Sequence, residues 1–341
     1  MPSSQVIKDA SLKSLNTFGV DIRCEYLAAV NDENELVHLL ADSAFKDLPK
    51  LVVGGGSNLL FTKDFPGLVI LNRIKGIHVV SEQEDTVVVR AGAGVVWHDL
   101  VLFTVEHGWG GLENLSLIPG TVGASPIQNI GAYGVEIKDC FTELSAVSIK
   151  DGSRRVFNAE ECRFGYRDSL FKREAKGAYV ITSVSFRLLK HPVIKTEYGA
   201  IRDRLAKEGI HHPTISDVSR AVISIRSSKL PDPAQLGNAG SFFKNPEVPQ
   251  QLFESIKMIH PDLVAYPTAQ GTVKLAAGWL IEQCGWKGMR SGNVGMHEMQ
   301  ALVLVNYGGA SGEELIAHAR RVQQSVKEKF GVELEMEVNI L

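Results

Sequence analysis

The stretch from Gly111 to Gly134, GLENLSLIPGTVGASPIQNIGAYG, limits the fold more than any other part of this sequence. It keeps neither the 3.6-residue period of a helix nor the two-residue period of a strand. An unstructured connection of that length is either functional or disordered. Leu112, Leu115, Leu117, Ile118, Val122, Ile127 and Ile130 argue against disorder. The segment is therefore expected to be an ordered, buried loop lying against a ligand. Within it, Gly120, Thr121, Gly123, Ala124 and Ser125 are small enough for close backbone approach, and Thr121 and Ser125 add hydroxyl donors.

A second small-residue loop lies upstream. Leu51–Val53 is a short apolar run that enters Gly54-Gly55-Gly56-Ser57-Asn58, followed by Leu59, Leu60 and Phe61. Glycines here let backbone N–H groups turn inward toward a pyrophosphate. The pattern is no Rossmann fingerprint, because Leu59 stands where its third glycine belongs. Gly92-Ala93-Gly94 fails likewise at Trp97, and no P-loop motif occurs. Two separated loops of this kind suit a long ligand such as FAD, one loop on each part of it. A pair of unrelated tight turns is the structural alternative.

At 341 residues the chain is too long for one ordinary core, so two or three domains are expected. The formal charge of -3 gives no reason to expect nucleic-acid binding. The N-terminus lacks the apolar core of a secretory signal, and no run approaches the roughly 18 apolar residues of a membrane span. A cytoplasmic protein with no membrane partner is the expectation. Cys24, Cys140, Cys162 and Cys284 form no C-x-x-C pair, and no histidine sits in an H-x-x-x-H pattern, so no metal site is expected.

Helices are predicted over Asp32–Phe45, Trp97–Glu106, Tyr198–Lys207, Ser216–Ser227, Pro249–Ile259 and Lys274–Cys284. A last helix begins at Ser311, with Glu314 completing a capping box and Leu315, Ala319, Val322, Val326 and Phe330 forming its stripe. Strands are predicted at Leu51–Val53, Leu68–Leu71, Ile77–Val80, Val87–Val89, Leu144–Ile149, Tyr179–Phe186, Ala301–Val305 and Leu334–Ile340. Lys229-Leu230-Pro231-Asp232-Pro233 breaks the chain and marks a domain boundary.

Three further motifs carry candidate chemistry. Phe164-Gly165-Tyr166-Arg167-Asp168-Ser169 offers in Arg167 a fixed cation that matches a carboxylate in a bidentate fork. Its plain alternative is a structural ion pair, with Asp168 at hand. Gly237-Asn238-Ala239-Gly240-Ser241-Phe242-Phe243-Lys244-Asn245-Pro246 wedges a serine between glycine and two phenylalanines. It is not a G-x-S-x-G elbow, which disfavours hydrolase chemistry. The tail Glu333-Leu334-Glu335-Met336-Glu337 alternates, which sets all three glutamates on one strand face toward solvent unless that strand lines a cleft.

In this order the motifs GGGSNLLF, GLENLSLIPGTVGASPIQNIGAYG, CRFGYRDSLFK, SSKLPDP, GNAGSFFKNP and a terminal LExEV resemble the UDP-N-acetylenolpyruvoylglucosamine reductases (UDP-N-acetylmuramate dehydrogenases). The likeness runs from Asn16-Thr17-Phe18-Gly19 to Val338. Lys195–Leu205, with Tyr198, looks like the longer form of the family, which lays a tyrosine loop over the substrate. The resemblance implies an α+β chain: an FAD-binding fold of the vanillyl-alcohol-oxidase type in two subdomains, 1–75 and 76–228. A C-terminal α+β substrate-binding domain, 229–330, follows, and 331–341 is a terminal strand returning to the active-site cleft.

It implies noncovalent FAD, NADPH as cosubstrate, and NADPH-dependent reduction of the enolpyruvyl ether of a UDP-sugar to UDP-N-acetylmuramate. That reaction belongs to peptidoglycan synthesis, hence to cell-wall biogenesis, cell shape and cell division. A cytoplasmic monomer is expected, with small molecules as its partners. Carried over by position, Ser241 matches the proton donor, and Arg167 and Glu337 match the residues at the enolpyruvyl carboxylate. Gly54, Gly55, Gly56, Ser57, Asn58, Leu59, Leu60, Gly120, Thr121, Gly123, Ala124 and Ser125 match the FAD loops. Tyr133, Tyr198, Lys229, Asn245 and Gln300 match substrate contacts, Lys229 also suiting an NADPH phosphate.

Two positions depart from the family pattern. Met336 stands where proline is usual, and Asn339 where arginine is usual. An oxidase of the same flavin fold, acting on alcohols or sugars with oxygen, is the alternative activity. It leaves the serine and arginine unexplained.

Overall fold

The computed structural model describes residues 5–268 and 271–341. The chain divides into two compact units, the first made of residues 1–10, 24–55 and 65–228, the second of 11–23, 56–64 and 229–341.

The first unit holds two sheets. In one, Val6–Ser11, Arg23–Val30, Phe65–Asn72 and Lys50–Val53 lie side by side in that order. The last three run parallel, Leu27 facing Val69 and Val52 facing Ile70. The other is antiparallel, ordered Arg154–Asn158, Phe141–Ser148, Tyr179–Leu189, Thr86–Gly92 and Ile77–Glu82. The helix Glu33–Ala41 joins them: Leu36 and Leu39 share one core with Ala28, Val30, Leu68 and Ile70 of the first sheet and Val147 and Val180 of the second. Asp32 caps that helix by accepting from Glu35 N at 2.8 Å. Glu35 reaches back to Asn31 N at 2.7 Å rather than to the cap itself. The helix stops at Ala41, short of the predicted Phe45, because Asp42 turns extended and caps a separate turn, Ser43–Phe45.

In the second unit Gly237–Ser241, Val303–Asn306, Val294–Met296 and Arg290–Ser291 form a sheet in that order. The helix Gly312–Phe330 buries Leu315, Ala319, Val322, Val326 and Phe330, the stripe read from the sequence. Its N-terminus carries the expected capping box between Ser311 and Glu314, an arrangement worth about 1 kcal/mol. The predicted helix from Lys274 is corrected: Val273–Leu275 is a strand, and the helix is Ala277–Gln283. Val273 and Leu275 point inward while Lys274 lies between its neighbours Glu247 and Tyr266, the two-residue period winning over the helical one. Tail expectations are corrected too, since regular strand covers only Asn339–Ile340, paired parallel with Leu59–Leu60. Upstream, Met336 makes an isolated bridge with Phe243.

Candidate active site

The long loop of the first unit is ordered, as its apolar residues require. Leu112, Leu115 and Val122 are fully buried, and two short 3-10 turns, Glu113–Leu115 and Val122–Ala124, shape it. Several of its polar atoms hold the loop together and to its neighbours. Ser116 Oγ donates to Glu113 O at 2.7 Å, Ser125 Oγ to Val122 O at 2.7 Å, and Trp97 Nε1 to Leu115 O at 2.9 Å. Ser125, expected to offer its hydroxyl to a ligand, thus holds its own turn.

The two small-residue loops meet within this unit. A Cβ built on Gly54 would stand 2.2 Å from Thr121 Oγ1, and one on Gly55 would stand 3.0 Å from Gly120 Cα. Only glycine allows backbones to approach so closely. A third strip, set aside in the sequence as a failed fingerprint, joins them. Gly123 N donates to Ala93 O at 2.9 Å, Val122 N to Val95 O at 2.9 Å, and Trp97 N to Gly120 O at 3.0 Å. Gly54 and Gly55 belong to the first unit, while Gly56, Ser57, Asn58, Leu59 and Leu60 belong to the second. There Gly56 packs against the backbone of Leu15 and Asn16, its φ of +63° and the lack of room for a Cβ both demanding glycine.

Arg167 lies in a turn closed by Gly165 N donating to Asp168 O at 3.0 Å, and it holds a left-handed φ of +52°. Its guanidinium donates to Gly131 O and lies 3.8 Å from Glu136. Asp168 is not its partner; that carboxylate takes Arg173 and Ser169 N instead. Leu117, Asn129, Tyr133 and Arg163 also have positive φ, so five non-glycine residues of this unit's motifs share the conformation. Such residues cost of order 1–3 kcal/mol each and cluster at functional sites.

Tyr133 and Tyr198 come together, their rings edge to face at 5.2 Å. Sequence reasoning missed the third member of this group, Arg226. It donates through Nε to Leu117 O at 3.1 Å and hydrogen-bonds the Tyr133 side chain. Burial lowers the Arg226 pKa and Tyr133 opposes that shift; burial raises the Tyr133 pKa and Arg226 opposes it. Asn114 completes the brace, donating to Tyr133 O at 3.3 Å and Lys195 O at 3.1 Å. Arg226 sits inside a regular helix, Ile215–Lys229, and no motif marks it.

In the second unit Ser241 ends a strand, opposite Val303, and its side chain is exposed. Phe242 and Phe243 behind it are buried, with Phe18 edge to face on Phe242 at 6.1 Å. Asn238 holds the approach, taking Gly240 N at 2.9 Å and donating to Pro231 O and Leu236 O. Phe242 is pinned on both sides, its N donating to Leu302 O and its O accepting from Glu337 N, each at 2.8 Å. The end of the Ser241 strand and the irregular tail segment of Glu337 therefore adjoin. The three tail glutamates do not share one environment. Glu333 and Glu335 are exposed and pair with Lys327 and Lys244, whereas Glu337 is half-buried.

The bonds around Met336 run through Glu335 O and Glu337 N, so a residue without an N–H also fits position 336. Asn339 donates from both its N and Nδ2 to Asn58 O at 3.1 Å, anchoring the tail. Asn245 Oδ1 accepts from Ala277 N at 3.0 Å, and a Cβ on neighbouring Gly278 would stand 3.2 Å from Gln300 Oε1, so both amides lie against the start of the helix Ala277–Gln283. Lys229 is exposed at the end of its helix.

Residues 24–158 match the FAD binding domain model, and residues 232–341 match the C-terminal domain model of UDP-N-acetylenolpyruvoylglucosamine reductase. A reductase of that name from Pseudomonas fluorescens Pf-5 is 56% identical over 97% of this chain and 98% of its own. One from Chromobacterium violaceum is 54% identical over 98% of each. The chain belongs to the UDP-N-acetylenolpyruvoylglucosamine reductase family. The crystal structure of such a reductase from Thermus caldophilus covers 99% of this chain at 25% identity and a TM-score of 0.68.

The flavin fold of a UDP-N-acetylenolpyruvoylglucosamine reductase explains why neither common dinucleotide motif is present. Gly54 and Gly55 press on Thr121 and Gly120, so the two small-residue loops lie side by side, the arrangement that two loops sharing one long ligand require. No helix among the described residues is long and apolar enough to cross a membrane.

Proposed function

We propose that Ser241, Arg167 and Glu337 carry the reaction of this FAD-dependent oxidoreductase. That reaction is the NADPH-dependent reduction of UDP-N-acetylenolpyruvoylglucosamine to UDP-N-acetylmuramate in peptidoglycan precursor synthesis. Gly54–Leu60 and Gly120–Ser125 would hold FAD noncovalently; reduced by NADPH, it would supply a hydride for the substrate's methylene carbon. Negative charge then builds on the adjacent carbon and its carboxylate. Arg167 meets that charge with a cation held before the reaction begins. Glu337 is the second residue assigned to that carboxylate. Ser241 Oγ gives its proton to the adjacent carbon. Serine is a weak acid, but the carbanionic acceptor is strongly basic, and general-acid help of this kind is typically worth about 10²–10⁴-fold.

The observation that supports the reading is the hydrogen bond from Glu337 N to Phe242 O, which lays the tail segment of Glu337 against the segment that presents the exposed Ser241. Tyr133, Tyr198, Asn245 and Gln300 contact the UDP-sugar, and Lys229 meets a phosphate of it or of NADPH. The working divisions are 1–75 and 76–228 for FAD and 229–330 for substrate, with 331–341 returning to the site, in a cytoplasmic monomer.

Purified protein should show oxidised-flavin absorption that denaturation releases into solution. It should consume NADPH steadily only with the enolpyruvyl UDP-sugar present, forming UDP-N-acetylmuramate. Flavin reoxidation by air at the same rate without that sugar would favour an oxidase and sink the proposal.

A further inference from the structure

We infer that Glu136 is a positioning residue for Arg167, with Asn129 and Lys138 setting how it acts. The inference rests on Arg167 as the cation for the substrate carboxylate. Arg167 leaves its turn in a left-handed conformation and reaches a loop far upstream in sequence, where Gly131 O and Glu136 receive its guanidinium. Both charged side chains are mostly covered, at 18% and 21% exposure. Glu136 is itself held. Its Oε2 accepts from Asn129 Nδ2 at 3.1 Å and lies 2.8 Å from Lys138 Nζ.

Asn129 is fully buried with a φ of +44°. The same Nδ2 also donates to Gly165 O at 2.9 Å, in the turn that bears Arg167, and Lys138 N donates to Asn129 Oδ1 at 3.2 Å. One amide thus ties the carboxylate that faces the guanidinium to the backbone that launches it. Gly131 makes the approach feasible, because a Cβ there would stand 2.8 Å from Glu136 Cγ and 3.0 Å from Arg167 Nη1.

The distances decide what Glu136 does. At 3.8 Å it guides the guanidinium without a close hydrogen bond, while Lys138, a full ångström nearer, answers most of its charge. Glu136 therefore orients Arg167 without neutralising it. Removing Lys138 would turn the carboxylate's whole pull onto Arg167, at the expense of the substrate.

The test uses the FAD-loaded full chain, titrated with UDP-N-acetylmuramate in the oxidised state and followed in both half-reactions. Glu136→Ala should weaken binding of that probe about tenfold and slow reoxidation by the enolpyruvyl sugar about tenfold, a misplaced catalytic group costing up to roughly 10²-fold. NADPH-driven reduction and the melting temperature should stay near wild type. Glu136→Gln, whose amide oxygen still accepts from Asn129, should recover most of the loss. Lys138→Met should weaken the probe about threefold, and that effect should vanish in the Glu136→Gln background.

Wild-type behaviour of Glu136→Ala, equal loss in both half-reactions, or a Lys138→Met effect that persists without the charge at 136 would each overturn the inference. Arg167→Ala separates the two layers. If it is silent, the role of Arg167 itself falls; if it is disabling while Glu136→Ala is silent, only the positioning role falls.

Discussion

Ser241 sits at the end of a strand whose bonds run from main chain to main chain, whereas Arg167 sits in a left-handed turn held by side chains. In the first case Leu302 O and Glu337 N fasten Phe242, and Phe18 packs on its ring. In the second, Asn129, Glu136 and Gly131 O do the holding, and several residues stay in strained conformations. A ladder fixes the position of a short side chain, because a serine hydroxyl moves only about one rotatable bond. A long guanidinium needs restraint at its far end, which only other side chains and carbonyls supply. The two modes of construction should therefore fail in different ways.

The largest effect tests the chemistry rather than the scaffold. Ser241→Ala should slow reduction of the enolpyruvyl sugar by about 10²–10⁴-fold and leave NADPH-driven flavin reduction intact. Stopped-flow absorbance resolves the two steps, and equal losses would make Ser241 structural.

Phe242→Ala removes the anchor behind the serine and should cost about 3–5 kcal/mol of stability in urea unfolding. A loss below 1 kcal/mol would mean that the ladder alone holds the segment.

On the other side, Gly131→Ala pushes on Arg167 and Glu136 together. It should raise the KM for the UDP-sugar about tenfold and, because Val135 O also stands 2.8 Å from that Cβ, cost about 1–3 kcal/mol of stability. A large drop in melting temperature with an unchanged KM would reverse the contrast.

The smallest effect concerns the regular side's own weak point. His318 is fully buried on the helix Gly312–Phe330, with no hydrogen-bond partner for Nε2 among the described residues, and burial, aided by Arg321, lowers its pKa to about 4. The neutral ring is the native form, so its contribution is complete above the unfolded value near 6.5. That contribution is lost as pH falls from there toward 4, amounting to roughly 2 kcal/mol by pH 5. His318→Met should flatten that part of the urea-unfolding profile; an unchanged slope would show that other groups cause it.

Much of the helical framework was legible because its determinants are local. The capping box at Ser311, the stripe from Leu315 to Phe330 and the ending of Trp97–Glu106 near Gly108 are all decided within a few residues. Lys274 was misread because Leu275 also falls in step with Trp279 of the helix that follows, and only the partner strands at Glu247 and Tyr266 claim it for a sheet. Alternation alone did not separate Glu337 from Glu333 and Glu335, since the segment bonded to it is that of Phe242, nearly a hundred positions away. Arg226 gave no signal at all, because a cation on a helix face looks solvated until Leu117 and Tyr133 are known to lie against it.

By itself the sequence determined the capped start and apolar stripe of the last helix and, through an ordered set of motifs, the family. Those properties depend on glycines, caps and periodicities that act over short distances along the chain. Tertiary structure alone decided which glycines face another backbone, which tail glutamate is covered, and what grips the guanidinium of Arg167. Each of these is a contact between segments far apart in the chain, and closing such loops leaves no mark on local residue patterns.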